Sequence, residues 1–540
     1  MPPTVAFLIT ASFLISFGGM CALVWAIANN QFRMGQGAAR TIFAPGEEGE
    51  GEDPASTGGE MAERGGADEQ ALAERDEADR STRVPVLTFL ASAVVWLVVG
   101  SLYGLIASLK MHWPELLADL PALTFGRIRP MHLNAVAYGW AAMAGIGAAV
   151  WLLPRLFKTP LVGGAYATAG AVIWNVAMAA GLVAIGAGYS DGMEWLEIPW
   201  QIDLLFVLGG GLCAVPLLLT VQRRRVEHLY VTSWYLMAAL VWFPLLFTIA
   251  NLPGAFPGPP APPVNWWFAH NVLGLWVTPI GIGIAYYMIP KILGRPILSY
   301  RLSLLGFWAL ALFYSQVGLH HLIGGPVPTW AVTLSIVQSV MMAIPVITVA
   351  INHHGTMWGH FRRLVDSPTL RFVWLGSLGY TASSLQGSME ALRSVNAVTH
   401  FTHYTVGHAH LGFYGFLSFV LFGAIYFILP RLADWEWPSV RLISLHFWLS
   451  TAGITVYFVS MTVGGWLQGL ALLDADTPFM DIVRLTLPYL EARSLGGALM
   501  TLGHLVFAAH FFLALSHQGR ALRGPAVFRP RILGERGAAS

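Results

Sequence analysis

Apolar residues occupy most of this chain in runs that are long enough to cross a lipid bilayer. One run covers residues 4–28, and twelve more follow residue 83, separated by short polar or proline-rich segments. Each predicts a transmembrane helix, because a hydrocarbon core of about 30 Å needs about 20 apolar residues. No strand pattern and no repeat is visible. The twelve runs lie near residues 84–110, 130–157, 163–188, 201–222, 229–251, 265–292, 302–324, 328–352, 371–392, 401–430, 441–470 and 493–516.

The segment between the first run and the other twelve differs in composition. It contains Gly-Glu-Glu-Gly-Glu-Gly-Glu-Asp and further acidic residues, with almost no aromatic residues. Such a sequence cannot bury a core of its own. We therefore expect an N-terminal transmembrane helix in residues 1–43, an acidic disordered linker at 44–83, a membrane domain at 84–517 and a basic cytoplasmic tail at 518–540.

Basic residues are unevenly distributed over the loops and indicate the orientation of the helices. The positive-inside rule places the basic loops in the cytoplasm. The even-numbered runs of the twelve then pass from the outside to the inside. The basic clusters that follow these even-numbered runs are Arg155/Lys158, Arg223–Arg225, Lys291/Arg295, Arg362/Arg363, Arg431 and the C-terminal tail.

Composition supports a membrane protein and limits its chemistry. The chain is 56% hydrophobic and 11% charged, whereas soluble domains carry about 25% charged residues. A net charge of +1 gives no indication of a nucleic-acid partner, and lipid is the expected surrounding. The two cysteines, Cys21 and Cys213, provide neither a disulfide framework nor a Cys-x-x-Cys-His haem attachment. Any haem is therefore held by coordination and packing alone.

Six histidines are predicted to share one depth in the membrane. Four lie near the starts of even-numbered runs, and an adjacent pair lies at the end of the seventh run, so all six fall in the outer half. Histidine within a membrane is costly and usually functional. A lone histidine is more often a polar tie between helices, but six at one depth favour metal binding. They are His132, His270, His320, His321, His408 and His410.

The two histidines of the tenth run are spaced to serve different partners. His408 and His410 lie two residues apart, about 200° around a helix, so their rings leave opposite sides. Imidazole is a common axial ligand of haem iron, and we expect His410 to pair with His132 on one haem. His408 would hold a second haem with an open position. His270 and the pair at 320–321 would form a three-nitrogen site that suits copper, zinc or non-haem iron.

Six motifs carry a resemblance to a known family. They resemble the catalytic subunit of cbb3-type cytochrome c oxidases, the C family of haem-copper oxygen reductases, over about residues 84–517. The motifs are Arg129-Pro-Met-His132-Leu-Asn-Ala-Val, Trp266-Trp-Phe-Ala-His270-Asn, Tyr286-Tyr-Met-Ile-Pro-Lys291, Ser299-Tyr-Arg-Leu-Ser303, Tyr314-Ser-Gln-Val-Gly-Leu-His320-His321 and Val406-Gly-His408-Ala-His410.

Residues 1–43 carry a second resemblance, to the small single-span protein associated with assembly of that oxidase. It depends on Trp25, Gln31-Phe32, Ala38-Ala39 and Ile42-Phe43. The alternative is a plain membrane anchor.

The resemblance to the oxidase implies an all-α bundle of twelve helices, to which the N-terminal helix is added, and a role for each motif. It implies that His132 and His410 ligate a low-spin haem b and that His408 ligates a high-spin haem b3. The three remaining histidines, His270, His320 and His321, would hold the copper CuB. Tyr314 matches the active-site tyrosine that is covalently linked to a copper histidine, here His270.

Further implied roles concern protons, propionates and calcium. Arg129 would pair with haem propionates. The implied proton path from the cytoplasm contains Tyr286, Tyr300 and Ser303. Glu194 and Glu197 match acids on the outer side, one of which helps to hold calcium near the propionates.

One position departs from the family pattern. The family carries Glu-Gly-Pro near the proximal histidine, whereas this chain has Gln386-Gly387-Ser388. A neutral amide makes imidazole a weaker donor than a carboxylate does, so we expect a higher haem b3 potential than in relatives with Glu. Glu390, one helical turn further on the same face, is the alternative carboxylate.

The function expected from this resemblance is a terminal oxidase of the bacterial inner membrane. It would reduce O2 to water, translocate protons and receive electrons from membrane-anchored c-type cytochrome subunits. The alternative is a related nitric oxide reductase, but those enzymes have a glutamate where this chain has Gly274, and they lack the tyrosine. A haem-carrying assembly or sensing protein is a third class, which would not need three copper ligands.

Overall fold

Helices account for nearly all of the chain that the structure describes. The structure is a computed structural model that describes residues 3–56, 69–252, 256, 258–516, 519 and 526–528. The α-helices are α1 (Pro3–Ala28), α2 (Glu69–Lys110), α3 (Phe125–Asn134), α4 (Ala142–Phe157), α5 (Gly164–Ala187), α6 (Trp200–Gln222), α7 (Val231–Ala250), α8 (Ala261–Val272), α9 (Thr278–Leu293), α10 (Tyr300–Phe313), α11 (Thr329–Met341), α12 (Ala343–Met357), α13 (Arg363–Asp366), α14 (Pro368–Glu390), α15 (Arg393–Thr399), α16 (His403–His410), α17 (Phe419–Ala433), α18 (Val440–Leu473) and α19 (Phe479–Leu515).

Shorter helical segments join or extend these helices. Three are π-helical: Ala135–Ala141 joins α3 to α4, Leu273–Val277 joins α8 to α9, and Leu411–Ser418 joins α16 to α17. Four are 3₁₀ turns at Gly35–Arg40, Pro121–Leu123, Tyr314–Gln316 and Leu319–Leu322.

Twelve helical stretches of the described chain are long and apolar enough to cross a membrane. They include α1 and eleven of the twelve runs that follow residue 83. The remaining run, expected at 371–392, is present as the 23-residue helix α14, which is more polar than the others. The prediction of an all-α integral membrane protein is therefore confirmed.

Three transmembrane helices share one arrangement of a histidine, a π-helical segment and a proline followed by a basic residue. In each, a candidate ligand histidine lies within three residues of a π-helical segment, and the helix ends with proline followed by a basic residue. The sequence signal that these helices share is only a histidine and a distant Pro-Arg or Pro-Lys pair, which is too little to form a visible repeat. The histidines are His132, His270 and His410, and the pairs are Pro154-Arg155, Pro290-Lys291 and Pro430-Arg431.

The acidic segment is not a free linker where the structure describes it. Residues 44–56 pack on the cytoplasmic ends of the helices, and α2 begins at Glu69 rather than near residue 84. Residues 57–68 lie outside the described residues. The expectation of disorder throughout 44–83 is wrong because this segment obtains its stability from ion pairs with the membrane domain rather than from a core of its own.

These ion pairs join the acidic segment to the ends of the three similar helices. Each of the three basic residues after proline pairs with one acid of the segment, and all six side chains are at most 14% exposed. Buried charges are tolerated when they are paired in this way. The pairs are Arg155 with Asp79, Lys291 with Glu47 (2.6 Å) and Arg431 with Glu52 (2.6 Å).

Asp53 fixes the same segment to the start of α14. Its carboxylate accepts hydrogen bonds from the Ser367 hydroxyl (2.6 Å), the Thr369 hydroxyl (2.7 Å) and the Thr369 amide (3.0 Å). Burial nevertheless raises the pKa of this carboxyl above its ordinary value. Asp53 also ends strand β1 (Gly51–Asp53), which pairs antiparallel with β2 (Ala526–Phe528) in the C-terminal tail. This two-stranded sheet was not predicted.

We predict that Glu47→Gln lowers the thermal stability of the purified protein. Glu47 bonds both Lys291 and Arg75, and removing one partner of a buried pair costs about 3 kcal/mol. Burial opposes ionisation, but the two cations hold the pKa of Glu47 well below its ordinary value of 4.5. The contribution of Glu47 is therefore complete above pH 4.5 and decreases as the pH falls toward the lowered pKa.

Denaturation midpoints in detergent at several pH values measure this effect. Asp76→Asn is the matched control, since Asp76 pairs with Arg80 where both side chains are more than 70% exposed. Exposed pairs contribute little. Equal midpoints for Glu47→Gln and wild type at pH 7 would contradict the prediction.

Candidate metal sites

Three histidines converge at the irregular end of α10. The donor atoms of His270, His320 and His321 all lie within 4.8 Å of one another. Helix α10 ends at Phe313, and the chain turns at Gly318, whose φ of 125° is open to glycine but strained for other residues. The following 3₁₀ turn allows the two adjacent histidines to face the same point as His270.

The surroundings of these histidines leave nitrogen atoms available to a metal. The Nδ1 of His320 lies within hydrogen-bond distance of the Ser335 hydroxyl (3.2 Å) and the Ser339 hydroxyl (3.1 Å), which leaves Nε2 free. The Nδ1 of His270 is buried and has no hydrogen-bond partner in the described chain. An unpartnered buried nitrogen is costly unless a further group binds it. The donor set therefore fits a metal ion that prefers imidazole.

Tyr314 lies beside this group. Its ring centre is 5.3 Å from that of His270. The ring occupies the space that a side chain at position 274 would need, since a Cβ added to Gly274 would overlap the tyrosine ring. The position of the Tyr314 ring therefore requires glycine at 274.

His132 and His410 form a second, separate pair. Their rings are nearly parallel, at 10°, with centres 6.3 Å apart. Two imidazoles on opposite sides of one ion have centres about 6 Å apart, because each nitrogen lies about 2 Å from the ion. The Nδ1 atoms bond the carbonyls of Gly100 (2.8 Å) and Val406 (2.9 Å), which directs each Nε2 away from these carbonyls.

The space around this pair fits a large planar group. A largely apolar cavity of about 140 Å³ is lined by both rings and by residues such as Val136 and Phe413. A Cβ at Gly104 would lie 2.6 Å from the His132 ring, so glycine makes room for that ring. The two imidazoles and the cavity together fit a six-coordinate haem.

The His408 ring faces a different direction from the His410 ring. It lies against α14, where a Cβ at Gly387 would be 2.9 Å from its Cε1. It also lies close enough to all three histidines of the first group to interact with them electrostatically. The two histidines of α16 therefore serve opposite sides of the helix, as their spacing predicts.

Comparison with known proteins identifies the family. Residues 84–499 match the family described as Cytochrome C and Quinol oxidase polypeptide I. The chain belongs to this family. It is 34% identical over 439 residues to the Cbb3-type cytochrome c oxidase subunit CcoN1 of Stutzerimonas stutzeri, a match that covers 78% of this chain and 93% of the relative. It is 32% identical over 453 residues to the cytochrome c oxidase subunit 1 of Rhodobacter capsulatus, covering 78% and 84%.

A solved structure supports the same fold. A heme-copper terminal oxidase dimer determined by cryo-EM superposes with a TM-score of 0.67 at 16% identity, covering 83% of this chain and 86% of that one.

The predicted relation to cbb3-type oxidases is confirmed, and haem and copper are the cofactors that this family implies. The chain is a multi-pass protein of the bacterial inner membrane. The likeness of residues 1–43 to an assembly protein stays a prediction, because the family match begins at residue 84.

In this oxidase chain, Glu390 rather than Gln386 brings a carboxylate toward His408. The Oε1 of Glu390 lies 3.8 Å from the His408 Nδ1, which is beyond hydrogen-bond distance but within reach of an ion pair. Three buried atoms have no hydrogen-bond partner in the described chain: the Oε1 of Glu390, the Nδ1 of His408 and the Oε1 of Gln386. The departure at 386 is thus accompanied by an acid one turn later.

Arg129 and the two outer acids lie together on the outer side. Arg129 donates from Nη1 to Glu194 at 3.0 Å, in a bidentate pair. Glu197 is buried and accepts from the Asn134 amide at 2.9 Å. Burial raises the pKa of Glu197 to about 7. The roles of Arg129 toward propionates and of the acids toward calcium stay predictions.

The residues of the predicted proton path are buried, and His228 and Asn352, which the sequence did not single out, lie within hydrogen-bond distance of two of them. The Tyr300 hydroxyl lies 2.9 Å from His228 Nε2, and the Ser303 hydroxyl donates to the Tyr300 carbonyl at 2.7 Å. Asn352 donates to the Tyr286 hydroxyl at 3.3 Å. His228 lies in a basic cytoplasmic loop, and its position there gave no signal that it approaches Tyr300.

We predict that Gly274→Ala abolishes most oxygen consumption. The added methyl group must displace the Tyr314 ring from His270, and small displacements of reacting groups cost about 10²-fold in rate. The spectrum of the haem at His132 and His410 should persist, which shows that the variant folds. Gly211→Ala is the control, because a Cβ there meets no heavy atom within 4 Å.

Turnover and optical spectra of the purified variants check this. Wild-type turnover in Gly274→Ala would mean that Tyr314 need not stay beside His270.

Proposed function

We propose that this chain is the oxygen-reducing subunit of a cbb3-type terminal oxidase that couples the reduction of O2 to water to proton translocation. The observation that supports this most is the division of the imidazoles into a facing pair and a cluster of three, with His408 on the same helix as His410 but packed against α14. The short helix α16 carries two of these histidines: His410 belongs to the facing pair, and His408 lies on the other side of the helix. A chain that only carried haem would not need the cluster of three.

The cofactors follow from this division. His132 and His410 would hold the low-spin haem b, His408 the high-spin haem b3, and His270 with His320 and His321 the copper CuB. When bound, haem b3 and CuB supply the site at which O2 accepts electrons.

The protein groups around that site have separable tasks. Tyr314 is a phenol held beside a copper ligand, so it can provide a proton and an electron to the reaction, and the resemblance implies a covalent link to His270. The hydroxyl groups of Tyr286, Tyr300 and Ser303 would carry protons from the cytoplasmic side. Burial of these groups excludes bulk water from the path.

Electrons must reach the chain from other subunits. The sequence contains no Cys-x-x-Cys-His motif, and its relatives are named as subunits of oxidases. We infer that membrane-anchored c-type cytochromes deliver electrons to haem b. The Arg129–Glu194 pair and Glu197 lie on the outer side, where they would contact propionates and calcium.

The nitric oxide reductase alternative has no support at position 274. A glutamate there, the residue expected of a nitric oxide reductase, would collide with Tyr314. The oxidase is therefore the function that the geometry favours.

We predict that the purified complex contains two b-type haems and one copper per copy of this chain, in addition to the c-type haems of its cytochrome subunits, and consumes O2 faster than nitric oxide. His321→Ala should lose copper but keep the haem held by His132 and His410, because the two sites share no ligand. Metal analysis, haem spectra and turnover with both gases measure this. Iron without copper, or faster turnover of nitric oxide, would reverse the assignment.

We predict opposite shifts of the haem b3 potential for two variants of α14. Gln386→Glu adds a carboxylate near His408 and should lower the potential, whereas Glu390→Gln removes one and should raise it. Shifts of tens of millivolts are expected, since about 59 mV corresponds to a tenfold change for one electron.

Redox titration of both variants and of the exchange variant Gln386→Glu/Glu390→Gln tests these two predicted shifts. The exchange variant should return toward the wild-type potential. An unchanged or raised potential in Gln386→Glu would contradict this role for position 386, and an unchanged potential in Glu390→Gln would contradict the role of Glu390.

A further inference from the structure

The N-terminal helix α1 lies outside the part of the chain that matches the oxidase family, yet it contacts the catalytic region. The family match covers residues 84–499. Helix α1 packs against α8, against α10 and against the turn Tyr314–Gln316. Its place in the fold is therefore beside the segment that carries the active-site tyrosine.

Three serines make the contact, and we call Ser12, Ser16 and Ser315 the serine cluster. The Ser12 hydroxyl donates to the Ser315 carbonyl at 2.8 Å, and the Ser315 hydroxyl donates to the Ser12 carbonyl at 3.1 Å. The hydroxyls of Ser16 and Ser315 lie 3.0 Å apart, and Ser16 donates to the carbonyl of Leu312 at 2.9 Å. Ser315 is fully buried and directly follows Tyr314.

The cluster also connects to the helix that carries His270. The indole nitrogen of Trp267 donates to the Ser315 carbonyl at 3.0 Å and lies 3.1 Å from the Ser12 hydroxyl. Trp267 is 2% exposed and lies three residues before His270 on α8. The serine cluster therefore links α1 to both of the segments that hold His270 and Tyr314.

The membrane surroundings explain why the carbonyl groups at the end of α10 need hydrogen-bond donors from α1. Helix α10 ends at Phe313, so carbonyl groups near its end lose their intrahelical partners. At membrane depth water cannot satisfy them, and irregular backbone is tolerated only where protein covers it. Ser12 and Ser16 supply hydrogen bonds to two of these carbonyls, those of Leu312 and Ser315.

We propose that α1 is a positioning element of the oxygen-reducing site: Ser12 and Ser16 fix the turn Tyr314–Gln316, so that Tyr314 stays beside His270. This inference rests on the proposed function. Ser12 and Ser16 act through Ser315 and the Leu312 carbonyl and touch no reacting atom. The fused helix therefore serves the reaction as well as anchoring the chain.

The test compares Ser12→Ala/Ser16→Ala with wild type in the intact complex. The variant should lose about tenfold in kcat with an unchanged KM for oxygen, because a misplaced tyrosine affects the reaction rather than access. It should also shift and broaden the infrared band of carbon monoxide bound to copper after photolysis. Thr10→Ala is the matched control, since the Thr10 hydroxyl bonds only the Ala6 carbonyl of its own helix on an exposed face.

A double-mutant cycle examines whether Ser16 acts through Ser315. The loss of rate in Ser16→Ala/Ser315→Ala should be smaller than the two single losses combined, because both single variants remove the contact between the two hydroxyls, although each also removes one hydrogen bond of its own. Ser16 is only partly buried, so Ser16→Ala alone should keep the fold, with the low-spin haem spectrum as the check.

The inference fails if Ser12→Ala/Ser16→Ala and Ser16→Ala match Thr10→Ala in kcat and in the carbon monoxide band. It also fails if the effects of Ser16→Ala and Ser315→Ala are additive. Failure of the proposed function is a separate outcome, because it would appear in the wild-type protein as missing copper or missing oxygen turnover.

Discussion

The packing of imidazole rings between transmembrane helices is the interaction on which the rest of this structure depends. An unpaired polar ring in a membrane interior is expensive, and this chain gathers His270, His320 and His321 in one cluster and places His132 against His410. The cost is offset because the rings face common points and the outward nitrogens of His132, His320 and His410 bond carbonyl or hydroxyl groups. The helices are arranged so that these rings meet, and the π-helical segments next to three of the histidines adjust the direction of each ring.

The sequence predicted those parts of the fold that follow from local pattern. Hydrophobic length located the transmembrane helices, and the two-residue spacing of His408 and His410 predicted rings on opposite sides. Loop charge and helix ends together predict one depth for the six histidines. Each of these inferences needs only the residue order and the geometry of a helix.

What the sequence could not provide depends on distant partners. The acidic run resembled a linker because its cations, such as Lys291 and Arg431, lie hundreds of residues away. Glu390 was only an alternative until the distance to His408 was known. Position 274 gave the clearest case: glycine there is informative only once the ring of Tyr314 is found in the space beside it.

The sheet between β1 and β2 has a consequence for how the chain is completed during synthesis. Strand β1 leaves the ribosome early, whereas β2 is among the last described residues. Glu47, shortly before β1, pairs with Lys291 of α9, and Glu52, within β1, pairs with Arg431 of α17. Residues 47–53 therefore obtain these partners only after α9, α17 and β2 have been synthesised, so this segment cannot reach its final arrangement before then.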